Sequence, residues 1–411
     1  MDRRQFLQSA ATFSLSMLLP GAQAWAFSNS QPSKNKLVVV MLRGAVDGLN
    51  VVVPYGDSSY YQARSGIAVQ PPGTADGALN LNGDFGLHPS LAPLMPYWNS
   101  KSMAFVTSSG SPDATRSHFD AQDYMESGVP GAKLVTTGWM NRLITLLPDN
   151  HSPVRALNFG PTIPRILSGP GTVANVELGP QGTRPLVVDK PETEHIFEQL
   201  YGNRNDALGQ AFREGIQARK TISKDLEDEM EMANRGAPTP AQNPNFGKKL
   251  AQLLTKDDTV QVAFIAFGGW DTHVNQGNGK GQLANKLAPL GQGLAEFAAG
   301  MGSKFNDTTV VVMSEFGRTA HENGNGGTDH GHGNSMWLLG GKVRGGQIYG
   351  KYDGLATARL YEGRDLPVNT DFRSVLSSVL LAHMGLSQDQ LEKIFPNFVS
   401  SHSDVGNIIN A

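Results

Sequence analysis

Short apolar runs recur along the chain, and each is followed directly by glycine or polar residues. The clearest are Lys36 to Leu42, Ser102 to Ser108, Val260 to Phe267 and Thr308 to Met313. They are continuously apolar and do not alternate with polar residues, which is typical of strands covered on both faces. Helical patterns such as Phe246 to Leu254 and Gln282 to Met301 lie between them. The pattern predicts an α/β fold around a mainly parallel sheet.

Four other segments extend this prediction. Residues 192–235 are helical in pattern and rich in charge, which predicts a helical hairpin inserted on the sheet with a solvated face. The spacing of apolar residues from Asp371 to Met384 predicts an amphipathic helix. Glycine and proline indicate a surface loop from Pro161 to Pro185, and Arg344 to Gly350 predicts the end of a hairpin.

The length of 411 residues allows one large domain or two ordinary ones. The proline-containing segment from Gly236 to Asn245 is the main candidate for a boundary, but the α/β alternation resumes directly after it. We therefore predict a single domain over residues 37–400, with the helical insertion inside it.

Charge and cysteine content narrow the classes of partner and ligand. The formal net charge is −3, from 34 Lys+Arg and 37 Asp+Glu, so no field favours nucleic acid or an anionic membrane as a partner. The chain contains 0 Cys, so any metal ion must be held by nitrogen and oxygen donors.

Residues 1–26 resemble a twin-arginine export signal. Arg3 and Arg4 precede a moderately apolar run, Ser9 to Leu19, and a small-residue segment ends with candidate cleavage sites after Ala24 and Ala26. The run is too short to cross about 30 Å of hydrocarbon, and no later segment is predicted to form a stable membrane span. We expect export by the twin-arginine translocase to the periplasm or beyond.

The run from Thr308 to Met313 leads into a loop dense in metal-binding residue types. Glu315 follows the run, and glycine-rich sequence then carries His321, Asp329, His330 and His332. Neutral imidazole and ionised carboxylate suit a divalent metal, and glycine lets the chain fold around it. The alternative is a solvated polar loop; the density of ligands favours the metal. The role of His321 stays open.

Two other strand ends carry similar residues. Asp271 and His273 follow the run that ends at Phe267, and an Asp-x-His pair on extended chain can direct both side chains to one side. Asp47 follows the run that ends at Leu42 and is a candidate ligand, with a turn residue or helix cap as the alternative.

Ser117 lies where a helix is predicted to begin. A serine there can simply cap the helix, or it can act as a nucleophile, because helix N–H groups stabilise a bound oxyanion and an adjacent metal lowers the hydroxyl pKa. Both roles stay open. The neighbouring Arg116 is a candidate clamp for a tetrahedral anion.

Five motifs together resemble the domain-of-unknown-function 1501 family, which is grouped with the alkaline phosphatase and sulfatase superfamily. They are LRGAVDGLNVVVP, RSHFDAQDYMESG, GWDTHVNQG, SEFGRTAHENGNGGTDHGHGN and RDLPVNTDFR, and the similarity extends from about Leu37 to Pro396. The resemblance implies a three-layer α/β/α sandwich with a mainly parallel central sheet, of the alkaline phosphatase type.

The resemblance also implies roles for individual residues. Asp47 corresponds to the first metal-binding acid of the superfamily and Ser117 to its nucleophile. Asp271 and His273 correspond to the third element, Glu315 to the acid of the fourth, and His330 or His332 to the late histidine. Phe316 stands where the superfamily has a metal-binding histidine, so His321 or His330 compensates, or the site binds one ion only.

These expectations combine into one leading hypothesis. It is an exported hydrolase of phosphate or sulfate esters, small-molecule or glycan, that depends on one or two divalent ions, Zn or Mn. Ser117 would attack and Arg116 or Arg318 would hold the anion. The alternative is a non-catalytic protein that binds a glycan or another envelope component and retains the fold and one metal.

Overall fold

A computed structural model describes residues 34–148, 152, 154–160, 162–176, 233–399 and 405–410. The predicted export signal, residues 1–26, lies outside the described residues. So does the predicted helical insertion up to residue 232.

Among the described residues, nine strands form the central sheet, and the long apolar runs form its middle. In chain order the strands are β1 (Lys36–Leu42), β5 (Met103–Gly110), β6 (Ala156–Phe159), β7 (Ala174–Val176), β8 (Val262–Phe267), β9 (Thr308–Ser314), β10 (Asn334–Gly340), β11 (Gln347–Tyr349) and β12 (Thr370–Asp371). Their spatial order is β11-β5-β10-β9-β1-β8-β6-β7, and β12 pairs with β5. Three short strands, β2 (Val52–Val53), β3 (Leu79–Asn80) and β4 (Gly86–Leu87), form a separate antiparallel sheet.

The central sheet is parallel except for β10. Strand β1 runs parallel to both β8 and β9, while β10 lies antiparallel between β9 and β5. The carboxyl ends of β1, β5, β8 and β9 therefore meet at one edge, together with the start of β10 at Asn334. This is the edge where α/β sheets bind ligands.

Helices cover both faces of the sheet. In chain order they are α1 (Gly48–Val51), α2 (Ser58–Ala63), α3 (Met95–Asn99), α4 (His118–Ser127), α5 (Trp139–Leu146), α6 (Phe246–Lys256), α7 (Gln282–Met301), α8 (Phe372–Ala382) and α9 (Gln388–Ile394). Short 3₁₀ turns cover Pro89–Leu94, Arg165–Leu167, Pro240–Gln242, Gly302–Asp307 and Thr357–Arg359.

Strand β1 shows why its run is continuously apolar. Val38, Val40 and Leu42 pack into one core with α6 and α7. Leu37, Val39 and Met41 pack into a second core, with α5, α8 and α9 on the opposite face. Successive side chains of a strand point to opposite faces, so both sets must be apolar when both faces are covered. The predicted three-layer α/β/α sandwich with a mainly parallel sheet is confirmed.

Two local predictions were wrong. Residues 347–349 do not form a hairpin, because β11 adds to the sheet as a parallel edge strand beside β5. The segment predicted as surface loop contains β7, which pairs in parallel with β6 at the other edge. Both strands have only three residues, too few for a periodic pattern to be visible.

Within the described part of the chain, no helix has the length and apolar character needed to cross a membrane.

Candidate metal centre

Four segments converge at the carboxyl edge of the sheet. The segment after β8 carries Asp271 and His273, and Glu315 directly follows β9. His118 is the first residue of α4, in the connection that leaves β5, and His330 lies on the loop between β9 and β10. The parallel arrangement of β5, β8 and β9 therefore brings together residues that are far apart in sequence.

Asp271 is the centre of this cluster. Its Oδ1 lies 2.9 Å from Nε2 of His273 and 3.4 Å from Nε2 of His330. Its Oδ2 lies 3.5 Å from Nε2 of His118. The Nε2 atom of His330 is also 3.0 Å from that of His118 and 3.1 Å from that of His273. All three imidazoles thus turn the same ring nitrogen toward one carboxylate.

The opposite nitrogen of each ring faces a hydrogen-bond acceptor. Nδ1 of His330 lies 2.9 Å from the carbonyl oxygen of Arg116, which can only accept, so this nitrogen carries the proton. Nδ1 of His118 faces Glu315 at 2.8 Å, and Nδ1 of His273 faces Asp329 at 3.2 Å. Each neutral ring therefore presents an Nε2 lone pair to Asp271. Such outer hydrogen bonds are the usual means of orienting a metal-binding histidine.

The electrostatics of the cluster follow from its burial. Burial would raise the pKa of Asp271, but the neighbouring imidazoles of His118, His273 and His330 and the charge of Arg318 hold it well below its usual range. Burial would lower the pKa of His118, but Asp271 and Glu315 together raise it to about 9. Burial would likewise lower the pKa of His273, but Asp271 raises it above its usual value. In the absence of a metal, a proton on His118 balances the neighbouring carboxylates.

The cluster fits a divalent metal. His118, Asp271 and His330 each offer one ligand atom, and these atoms lie within 4.8 Å of one another. Among the described residues, the buried Oδ2 of Asp271 accepts no hydrogen bond. Its 3.5 Å separation from His118 is long for a hydrogen bond but matches the roughly 3.4 Å between two ligands of a tetrahedral ion with bonds near 2.1 Å. His273 borders the same position.

Arg318 stabilises Asp271 from the protein interior. Its Nη1 donates to Oδ1 of Asp271 at 2.6 Å, and its Nε donates to the hydroxyl of Thr328 at 3.2 Å. The guanidinium is fully buried. Arg318 was predicted to hold a substrate anion, but in the structure its guanidinium pairs with the carboxylate of Asp271.

Asp47 lies in a neighbouring buried network rather than in the cluster. Its Oδ2 accepts from Nη1 of Arg64 and from Nε2 of Gln276, each at 2.6 Å. Thr328 joins this network to Arg318, because its hydroxyl lies 3.1 Å from Oε1 of Gln276. The group that could hold a metal in the described chain does not include Asp47.

Glu315, His332 and His321 are also placed apart from Asp271. Glu315 is buried behind His118 and contacts its Nδ1, on the side of the ring away from the cluster. His332 packs its ring against Tyr361, with centroids 4.8 Å apart. His321 is exposed on the loop, where its carbonyl accepts from the Thr319 hydroxyl. Of the six residues predicted as ligands, the structure brings together Asp271, His273 and His330.

Ser117 and Arg116 directly precede His118. Ser117 is the N-cap of α4, and its exposed Oγ accepts from the backbone N–H of Asp120 at 3.4 Å. The Arg116 guanidinium pairs with Glu362 and Asp365, each at 2.7 Å. Its backbone carbonyl orients His330. Arg116 thus contributes to the centre through its main chain.

His118 is the member of the cluster that sequence reasoning missed. It follows a helix-capping serine, a position where a histidine has no distinctive spacing to other ligands, and its partner His330 is 212 residues away. The available signal was its place in the connection after a buried strand, at the same edge as Asp271.

The fold is similar to several solved structures. Ps i-CgsB in complex with k-i-k-neocarrahexaose is 9% identical, with a TM-score of 0.42 over 87% of this chain and 74% of that chain. A protein in the alkaline phosphatase superfamily from Vibrio parahaemolyticus is 13% identical, with a TM-score of 0.38 over 86% of this chain and 72% of that chain.

The lipoteichoic acid synthase LtaP from Listeria monocytogenes is 8% identical, with a TM-score of 0.37 over 77% of this chain and 68% of that chain. Similarity at this level does not extend to the chemistry of a site. No curated protein matches the sequence significantly.

The family comparison covers most of the chain. A family model described as "Protein of unknown function (DUF1501)" matches residues 34–395. The match begins just before β1 and ends after α9, so it includes the sheet, both helical layers and every residue of the cluster. The chain belongs to the DUF1501 family.

Proposed function

We propose that this protein is a metal-dependent hydrolase of phosphate or sulfate esters. The observation that carries the proposal is the convergence of three imidazole Nε2 atoms on Asp271 at the carboxyl edge of the sheet. Lone pairs and carboxylate oxygens at such short distances repel one another unless a proton or a cation lies among them. A divalent cation satisfies all of them together.

His118, Asp271 and His330 would hold the ion, with His273 at its border. The donors are nitrogen and oxygen only, which suits Zn or Mn. When bound, such an ion stabilises the negative charge that develops on an ester undergoing substitution. The described residues contain a single group of this kind, so we propose one ion.

Ser117 is the proposed nucleophile. It is exposed beside His118, at the N-terminus of the ten-residue helix α4, where backbone N–H groups favour an anion. Attack by its Oγ on phosphorus or sulfur would form a serine ester and break the bond to the alcohol, which leaves with a proton. Hydrolysis of that ester by water would restore the hydroxyl.

Arg116 is better placed than Arg318 to contact the substrate anion. Its guanidinium is one-third exposed, and one of its two partners, Glu362, is an exposed side chain that an incoming anion can displace. Arg318 is fully buried against Asp271. Asp329, at the border of the cluster, is half exposed, so the edge is open to a small-molecule or glycan ester.

The pairing of both arginines with carboxylates also favours a second candidate function. A protein that holds one metal and binds a glycan or another envelope component without turnover needs no free anion clamp. Stoichiometric metal, no ester turnover and saturable binding to cell-envelope polymers would support this alternative.

The decisive experiment is an ester screen with metal-loaded protein. Phosphate and sulfate monoesters and diesters of simple alcohols and sugars would be compared for wild type, Asp271→Asn and Asp371→Asn, the last a matched change at the N-cap of α8. We expect turnover in wild type and Asp371→Asn, and its loss in Asp271→Asn. Equal turnover in all three proteins, or none in metal-loaded wild type, contradicts the proposal.

We also propose that the protein is exported by the twin-arginine pathway and acts in the periplasm or outside the cell. The proposal rests on Arg3, Arg4 and the short apolar run that follows. It is consistent with a metal centre assembled during folding, since its ligands come from distant segments.

A further inference from the structure

Glu315 is a fully buried carboxylate surrounded by donors. Its Oε1 lies 2.8 Å from the backbone nitrogen of Gly44, 2.8 Å from Nδ1 of His118 and 3.0 Å from Nε2 of Gln122. Its Oε2 lies 3.0 Å from the hydroxyl of Ser314. These donors come from the ends of β1 and β9 and from α4, so the carboxylate joins three elements at the edge of the sheet.

The surroundings of Glu315 are closely packed, and its side chain is fully buried. Gly44 approaches closely because it has no side chain: its φ is +107°, and a Cβ there would lie 2.8 Å from the backbone nitrogen of Asp271. Hydrogen bonds from charged or polar donors to a buried carboxylate are strong, and breaking one leaves an unsatisfied charge. The position of Oε1 is therefore set by donors from the end of β1 and from α4.

Phe316 constrains the same histidine from another side. Its ring centroid lies 4.7 Å from that of His118 and 5.2 Å from that of His330. The two rings are thus packed against a buried aromatic surface while Glu315 engages Nδ1 of His118. Together these contacts define both the plane of the His118 ring and which nitrogen faces Asp271.

We propose that Glu315 is a positioning residue that holds His118 with its Nε2 directed at the metal, and is not itself a ligand. This inference rests on the proposed metal centre. With Nδ1–H donated to Glu315, the Nε2 lone pair points toward Asp271 and His330; without that acceptor the ring can adopt its other tautomer or turn.

Asp329 has the corresponding position toward His273 but holds it less firmly. It is 52% exposed and lies 3.2 Å from Nδ1, whereas Glu315 is 0% exposed and lies 2.8 Å from its histidine. Water can replace an exposed acceptor but cannot reach a buried one. Removing the Glu315 carboxylate should therefore affect metal binding more than removing the Asp329 carboxylate.

The test is the metal affinity of the full protein, measured with Zn²⁺ by competition against a chromophoric chelator. The variants are Glu315→Gln, Glu315→Ala, Asp329→Asn and the control Asp57→Asn, which alters a carboxylate with several donors at the N-cap of α2. A second readout is the visible absorption of the Co²⁺-substituted protein, which reports ligand geometry. Neither readout requires ester turnover.

We expect Glu315→Gln to weaken Zn²⁺ binding about 10-fold and Glu315→Ala about 100-fold, within the range for such outer partners. Asp329→Asn should have a smaller effect, and Asp57→Asn none. The Co²⁺ spectrum should shift in both Glu315 variants. The shift should be smaller in Glu315→Gln than in Glu315→Ala, because the Gln oxygen can still accept from Nδ1. If Glu315→Ala does not fold, Glu315→Gln alone decides.

Failure of the positioning role of Glu315 and failure of the proposed function give different results. Wild type that binds Zn²⁺, with the same affinity and Co²⁺ spectrum in Glu315→Gln, overturns the positioning role and leaves the proposed function intact. If Glu315→Gln no longer binds Zn²⁺ stoichiometrically, Glu315 is a ligand, and this result also overturns the inference. Wild type that binds no metal overturns both the inference and the proposed function.

Discussion

Nε2 of His118 and Nε2 of His330 face each other at 3.0 Å, although each ring already directs its Nδ1 at an oxygen acceptor. Two neutral imidazoles in this arrangement place lone pair against lone pair. A proton relieves the repulsion in the metal-free protein, consistent with the pKa of about 9 for His118. A divalent ion relieves it without protonation.

His118 should be required for metal binding. Wild type should bind about one equivalent of Zn or Mn, and His118→Ala should lose it, because the ring supplies one of three converging ligands. Elemental analysis of protein purified without chelators measures both. The control is His332→Ala, whose ring packs against Tyr361 outside the cluster and should leave the metal content unchanged. Full metal content in His118→Ala would remove His118 from the ligand set.

Arg318 should contribute to stability by neutralising Asp271. Arg318→Met leaves a buried carboxylate without its closest cation, so we expect the free energy of unfolding to fall by about 3–5 kcal/mol in metal-free protein. Urea unfolding in the presence of a chelator measures the change. Lys248→Met is the matched control, because Lys248 is 60% exposed in its pair with Glu296 and should change stability by less than about 1 kcal/mol. A similar small change in Arg318→Met would contradict the prediction.

His88 should make the protein less stable at acidic pH. Burial lowers its pKa from 6.5 to about 4, and the neutral ring donates from Nε2 to the carbonyl of Asn278 and accepts at Nδ1 from the N–H of Ser90. Between these pH values the unfolded chain binds a proton that the folded chain excludes. The contribution of His88 is therefore constant above about pH 6.5 and decreases as pH falls toward 4, by up to about 3 kcal/mol.

The pH dependence of urea unfolding tests this contribution. His88→Asn should have a shallower slope than wild type between pH 6.5 and 4, whereas the exposed His321→Asn should keep the wild-type slope. An unchanged slope in His88→Asn would show that other groups cause the acid sensitivity.

Ser117 has two separable roles, as a cap and as the proposed nucleophile. Ser117→Ala removes both, so it should lower stability by about 1 kcal/mol and abolish ester turnover. Ser117→Asn keeps a capping oxygen but has no hydroxyl, so it should restore stability and remain inactive. Thermal unfolding and ester turnover separate the two effects. Turnover by Ser117→Asn at the wild-type rate would rule out the nucleophile.

Export should depend on the paired arginines. Replacing Arg3 and Arg4 by lysine keeps the charge but removes the guanidinium pair, so we expect the protein to remain in the cytoplasm. Cell fractionation followed by immunoblotting measures this. The control replaces Lys34, which is exposed and lies beyond the predicted signal, by arginine. Normal export of the Arg3→Lys/Arg4→Lys protein would exclude the twin-arginine route.

The central sheet could be predicted because the continuous apolar sequence of its long strands indicates that both of their faces are buried. Residues 37–42 are apolar on both faces, and this requires helices on both sides. The strands at the two edges, Ala174–Val176 and Gln347–Tyr349, could not be predicted in this way. They have three residues each, and what makes them strands is pairing with β6 and β5.

For the candidate site, the sequence by itself determined which residue types stand at the strand ends, including the pair Asp271 and His273. Only the tertiary structure decided which of them meet. His118 joins the cluster because β5 lies in the same sheet as β8 and β9, an arrangement that no local spacing encodes. Glu315 faces His118 instead of the centre because donors from β1 and α4 hold its carboxylate there. The residue type at a strand end can be read from the local sequence, whereas the direction in which its side chain points depends on the elements packed around it.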